Sequence, residues 1–121
     1  MIMAFTSPAK DYEEKPLSLD SRYIQRPAAT FFAQIDGNGF SAEGILNGAI
    51  AVIDRSLSPK ENDILLCVIE GVQSIRRLEV RNGRRYLSTP NPDFVDILAE
   101  DNDDVEVWGV VTAVVNEFRS H

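Results

Sequence analysis

Residues 31–54, FFAQIDGNGFSAEGILNGAIAVID, constrain the fold more than any other stretch. They read as an apolar strand, a glycine-rich loop, a short connector and a second apolar strand. Ala29-Thr30-Phe31-Phe32-Ala33-Gln34-Ile35 is rich in aromatic and β-branched residues that suit a pleated, half-buried surface. Asp36-Gly37-Asn38-Gly39 supplies residues that tolerate a sharp turn and a close backbone approach. Gly44-Ile45-Leu46-Asn47-Gly48 bends again, and Ala49-Ile50-Ala51-Val52-Ile53 resumes as a strand that stops at Asp54.

The remaining chain repeats this grammar of short apolar runs between turn formers. Residues 56–63 form a surface loop, and Ile64-Leu65-Leu66-Cys67-Val68-Ile69 is a continuous apolar run that predicts a strand buried on both faces. Glu70-Gly71 predicts a tight hairpin, and Asn82-Gly83 a second one. Between them, Ile75 and Leu78 stand three apart, which breaks alternation and predicts a bulge. Phe94-Val95-Asp96-Ile97-Leu98 predicts a short strand, and residues 105–115 a long one, with the tail from Asn116 fraying off. Residues 1–29 carry Ser7-Pro8, Lys15-Pro16 and Arg26-Pro27, which predict an irregular arm before a β domain over 30–121. One helical turn is expected there, with Leu19, Tyr23 and Ile24 facing inward. The fold class is therefore mostly β.

Bulk properties exclude several function classes. A chain of 121 residues is one domain long and can bury a core without metal or disulfides. The single cysteine, Cys67, rules out an internal disulfide, and its apolar run predicts a buried, inert thiol. No apolar stretch reaches the ~20 residues of a membrane helix, and residues 1–4 lack the features of a secretion signal, so a cytoplasmic location is expected. A net charge of −7 and a pI near 4.6 argue against direct nucleic-acid binding. Arg76, Arg77, Arg81, Arg84 and Arg85 cluster around one hairpin, but alternation splits Arg76 from Arg77. Attraction to the acidic residues 93–106 is as good an account of them as a binding patch. The acidic run 100–104 lacks the spacing of a calcium loop, and neither a metal nor a cofactor is expected.

The strand–loop–strand layout resembles the self-processing serine peptidases of the LexA/UmuD group. There the loop reads roughly Gly-Asp-Ser-Met, followed by Gly-Ile-x-x-Gly-Asp. Here Gly37-Asn38-Gly39-Phe40 and Gly44-Ile45-Leu46-Asn47-Gly48-Ala49 take those places. The family's base lies in a run like Phe-Thr-Val-Lys-Lys-Leu, matched by Gln73-Ser74-Ile75-Arg76-Arg77-Leu78. Residues 105–115, VEVWGVVTAVV, resemble the family's ending Leu-Asp-Val-Phe-Gly-Val-Val-x-x-Val-Val. Phe5-Thr6-Ser7-Pro8-Ala9-Lys10-Asp11-Tyr12 is similar to the segment just after the bond that UmuD cuts in itself.

This resemblance implies a small curved antiparallel β domain of the LexA/UmuD carboxy-terminal type. It also implies that the nucleophile's position holds Gly39 and the base's position Arg76, 37 residues later (76 − 39), at the family's interval. Glycine has no side chain to attack with, and a guanidinium stays protonated and accepts no proton. The expectation is a pseudo-peptidase without catalytic residues, beginning near the processed end, with no Ala-Gly or Cys-Gly bond upstream. Ser41, Lys60 and His121 read as a loop hydroxyl, an exposed amine and a solvated terminus. Trp108, in an apolar strand, reads on its own as a core side chain, whereas the resemblance implies a homodimer built around Val107, Trp108, Val110, Val111, Ala113 and Val115. The implied role is that of an accessory subunit for a UmuC-like Y-family polymerase in the SOS response. The alternative is a decoy that pairs with an intact UmuD- or LexA-like protein and inhibits it.

Overall fold

The computed structural model describes residues 18–100 and 102–119. Among the described residues seven strands form one open antiparallel sheet: β1 (Thr30–Gln34), β2 (Ile50–Asp54), β3 (Ile64–Ile69), β4 (Val72–Arg81), β5 (Arg84–Ser88), β6 (Ile97–Leu98) and β7 (Val105–Val115). Their spatial order is β1-β2-β7-β3-β4-β5-β6, so the last strand lies inside the sheet. The two predicted hairpins form where expected. Glu70 and Gly71 turn at φ 51 and 81, and Asn82 and Gly83 at φ 53 and 77, the paired positive values that a two-residue hairpin requires.

Both faces of the sheet carry a core. On β3, Ile64 and Leu66 pack into one cluster with Ile35, Phe40, Ile45 and Ile53, while Leu65 and Cys67 join Leu78, Leu87 and Val110 in the other. This two-faced burial explains the continuous apolar run of β3. It also corrects the bulge expected in β4. The β3–β4 register runs unbroken from Ile64↔Arg77 to Ile69↔Val72, and Ile75 and Leu78 point to opposite faces, each into its own core. The bulges fall instead on β7, where the register shifts between Val52 and Ile53 of β2 and between Leu66 and Cys67 of β3. Bulges raise local twist and bend the sheet.

Three other expectations are corrected. Phe94, Val95 and Asp96 are not in a strand: β6 is only Ile97–Leu98, and residues 89–96 form an irregular segment ahead of it. Asn116 does not fray. Its Nδ2 donates to Gly44 O at 2.7 Å and its Oδ1 accepts from Leu46 N at 3.2 Å, clamping the connector after the glycine loop. The helical turn forms as α1 (Leu19–Tyr23), capped by Ser18 Oγ, which accepts from Ser21 N. Its apolar side chains do not turn into a core, however: Leu19 is 61% exposed and Tyr23 42%.

Candidate functional site

The glycine loop leaves β1 at Gln34 and is held by local hydrogen bonds. Gly37 N donates to Asn47 Oδ1 at 2.7 Å, and Ile35 exchanges bonds with Gly48 and Ala49 across the loop's base. Phe40, 1% exposed, anchors the loop in the core, so Gly39 is placed by its neighbour. A Cβ built on Gly39 would lie 3.6 Å from Thr89 Cγ2 and 3.9 Å from Phe94 Cζ, ordinary contact distances. A side chain therefore fits at position 39. Its absence is a property of the sequence, not a demand of the backbone.

Arg76 enters from β4 on the same side. It is buried, and its head group makes two hydrogen bonds and one ring contact. Nε donates to Ser74 Oγ at 3.1 Å, Nη1 donates to Val95 O at 2.9 Å, and the guanidinium carbon lies 5.4 Å from the centre of the Phe94 ring. Burial pushes this guanidinium down from its ordinary value, while Cys67 and Asp96 pull it back up. Arginine remains a cation at neutral pH and accepts no proton. Phe94 thus touches both positions: its rim faces Gly39 and its ring lies against Arg76.

Around this centre, Asn91 Nδ2 donates to Asn38 Oδ1 at 3.2 Å, joining the glycine loop to residues 89–96. Arg77, on the opposite face of β4, grips Glu43 with two bonds of 2.6 and 2.7 Å and lies 5.6 Å from the Phe40 ring centre. That pair holds Glu43 below its ordinary carboxylate range, chiefly through the hydrogen bonds from Arg77. The cavity beside the loop, between Ile35 and Asp36 on one side and Gln73, Ser74 and Ile75 on the other, is about 40 Å³. Ligand pockets are typically ~300 Å³ or more.

Residues 3–112 match the family described as Peptidase S24-like. The chain is 38% identical to protein ImpA of Escherichia coli over 117 residues, covering 95% of this chain and 78% of that protein. It is 37% identical to protein MucA of Escherichia coli over 109 residues, 89% of this chain and 74% of that protein. It is also 26% identical to the LexA repressor of Syntrophotalea carbinolica over 90 residues, 74% of this chain and 45% of the repressor. The chain belongs to the peptidase S24-like family. Within it the chain is a UmuD-like member of the LexA/UmuD group, and its open antiparallel sheet is the fold expected for that group.

Within this S24-like domain the other expected residues are dispersed. Ser41 is exposed in a short 3-10 turn, and Lys60 is exposed in the loop before β3. The motif at residues 5–12 and His121 lie outside the described residues. Cys67 is fully buried, and desolvation pushes its thiol up to about 11, as its apolar run predicted. The arginine cluster divides as alternation requires, and Arg81 pairs with Asp96 at 2.7 Å and Glu79 at 2.6 Å.

Of the residues assigned to a dimer contact, Val110 is 4% exposed and belongs to the core of its own chain. Trp108, Val111 and Ala113 are half-buried, while Val107 and Val115 are 41% and 51% exposed. Val115 shares a groove of about 440 Å³ with Leu19, Tyr23, Phe32, Val52 and Ala113. The sequence reading missed Phe94, Val95, Asn91 and Asn116. The Thr-Pro-Asn-Pro run at 89–92 marked the segment as irregular, but nothing local showed that it folds back on the glycine loop.

Proposed function

We propose that this protein is a non-catalytic, UmuD′-like accessory subunit that acts in the cytoplasm as a homodimer, beside a Y-family translesion DNA polymerase in the SOS response. The observation that carries this reading is Arg76. It follows Gly39 at the family's nucleophile-to-base interval, and its head group is spent on Ser74, Val95 and Phe94. A general base needs a free lone pair, and a nucleophile needs a side chain. These two positions offer neither. What remains is a folded scaffold with an exposed apolar groove, and that suits docking. Similarity to ImpA and MucA over roughly three-quarters of their lengths supports a UmuD-like role.

The test is affinity capture of the tagged full chain from cells after DNA damage. Recovery of a Y-family polymerase supports the reading. Recovery of an intact S24 relative without a polymerase supports the decoy role in its place. Silence in catalysis is tested by adding trace amounts of this protein to an intact relative. Turnover independent of stoichiometry would overturn the non-catalytic assignment.

A further inference from the structure

Residues 89–96 link β5 to β6 without joining the sheet. Among the described residues their one backbone–backbone hydrogen bond, from Phe94 N to Asn91 O at 3.1 Å, stays inside the segment. Thr89 Oγ1 accepts from Asn91 N, and Asn91 Oδ1 accepts from Asp93 N, so the segment is a self-bonded strap. Side chains fasten it to the body at three points: Arg76 to Val95 O, Arg81 to Asp96, and Asn91 to Asn38. Two of these ties lie at or near the surface, where water competes and an ion pair adds little. The Arg76 tie is part-buried, with the arginine itself buried.

We propose that Arg76 is the latch of this strap and that the latched strap seals the cleft at Gly39. The arginine is then a positioning residue with a gained task, not merely a lost base. Its planar fork matters, because Nε and Nη1 reach two acceptors in different directions while the guanidinium carbon sits 5.4 Å over the centre of the Phe94 ring. A lysine ammonium has no such plane and, on a thinner stem, does not fill the same contacts. Phe94, under that guanidinium, puts its rim 3.9 Å from where a Cβ at position 39 would lie. With the strap down, Thr89 and Phe94 both lie within 4 Å of the Cβ that Gly39 lacks. The proposal rests on the non-catalytic reading only in naming what is shut out. The latch itself is tested without any activity.

The experiment is thiol labelling of full-length Gly39→Cys, in which the introduced thiol points at Thr89 and Phe94. A small thiol reagent reads how often the strap lifts, and amide exchange in β3 and β7 reads global opening. Adding Arg76→Met, which keeps volume but removes the donors, is expected to raise the labelling rate at position 39 by about tenfold with β3 and β7 exchange unchanged. Arg76→Lys is expected to fall between the two. Phe94→Ala, which removes the rim from the other side, is expected to raise the rate as well and stands in should the Arg76→Met chain fail to fold. An unchanged rate in these variants overturns the latch. So does a rise that β3 and β7 share, since Arg76 would then hold the whole domain and not the strap.

Discussion

A methyl group added at Gly39 would meet Thr89 Cγ2 at 3.6 Å, whereas one added at Gly109 would lie 2.6 Å from Ile53 Cγ2 and 3.2 Å from Asp54 O. Ile53 is fully buried and cannot swing aside, and a backbone oxygen cannot move without the strand. Gly109→Ala is therefore expected to cost about 1–3 kcal/mol through overpacking. Gly39→Ala is expected to cost nothing and to gain up to about 1 kcal/mol by restricting the unfolded chain. Urea unfolding of the two variants decides this, and equal losses would mean that the loop cannot admit a side chain after all. The contrast bears on function, because a glycine that the backbone does not require marks a chemical vacancy. The identities and interval of Gly39 and Arg76 were legible in the sequence. That Phe94 lies against both was not, because the contacts join residues 55 apart (94 − 39) and 18 apart (94 − 76) and no local pattern encodes either.

Strand types and hairpins were legible because they are local: Asn82-Gly83 dictates its turn, and the six-residue run of β3 its burial. The misplaced bulge shows where locality fails. Apolar residues three apart signal a bulge only if one face is buried, and here Ile75 and Leu78 serve two different cores. At this scale the element that steadies the glycine loop is the bidentate Arg77–Glu43 pair, which ties β4 to the 3-10 turn Ser41–Glu43. Both side chains are about a third exposed, so solvent screening limits the pair. A double-mutant cycle with Arg77→Met and Glu43→Gln is expected to give a coupling of about 0.5–1 kcal/mol at neutral pH. Glu43 is held below its ordinary range in the fold, so its contribution is complete above the unfolded-chain value. It is lost as pH falls through the lowered one. The coupling should accordingly weaken below the ordinary carboxylate range and vanish once pH has fallen past the lowered value. A coupling that persists there would belong to packing on Phe40 and not to charge.

For the whole molecule, the sheet order decides how two copies can meet. β7 lies between β2 and β3 and pairs with both at Val110 and Val111, so its backbone there is already spent. A two-fold contact along this strand must run through side chains and through its flanks, and that narrows the interface to what remains exposed. Val115, Phe32 and Leu19 are 51%, 56% and 61% exposed and border one apolar groove beside the β1 edge of the sheet. Apolar patches of this kind, in a chain of net charge −7, are where association is most favourable, since the charged remainder repels its copies. Val115→Asp and Phe32→Asp, each placing a carboxylate in that groove, are expected to convert a dimer to a monomer in sedimentation equilibrium. Val95→Asp, on a side chain 79% exposed in the strap leading to the opposite edge, is expected to leave the dimer intact. Dimers surviving both groove substitutions would move the interface to Val107 and the other flank of β7. A wild-type chain that is monomeric throughout would remove the homodimer from the proposed function while leaving the occupied Arg76 site as it is.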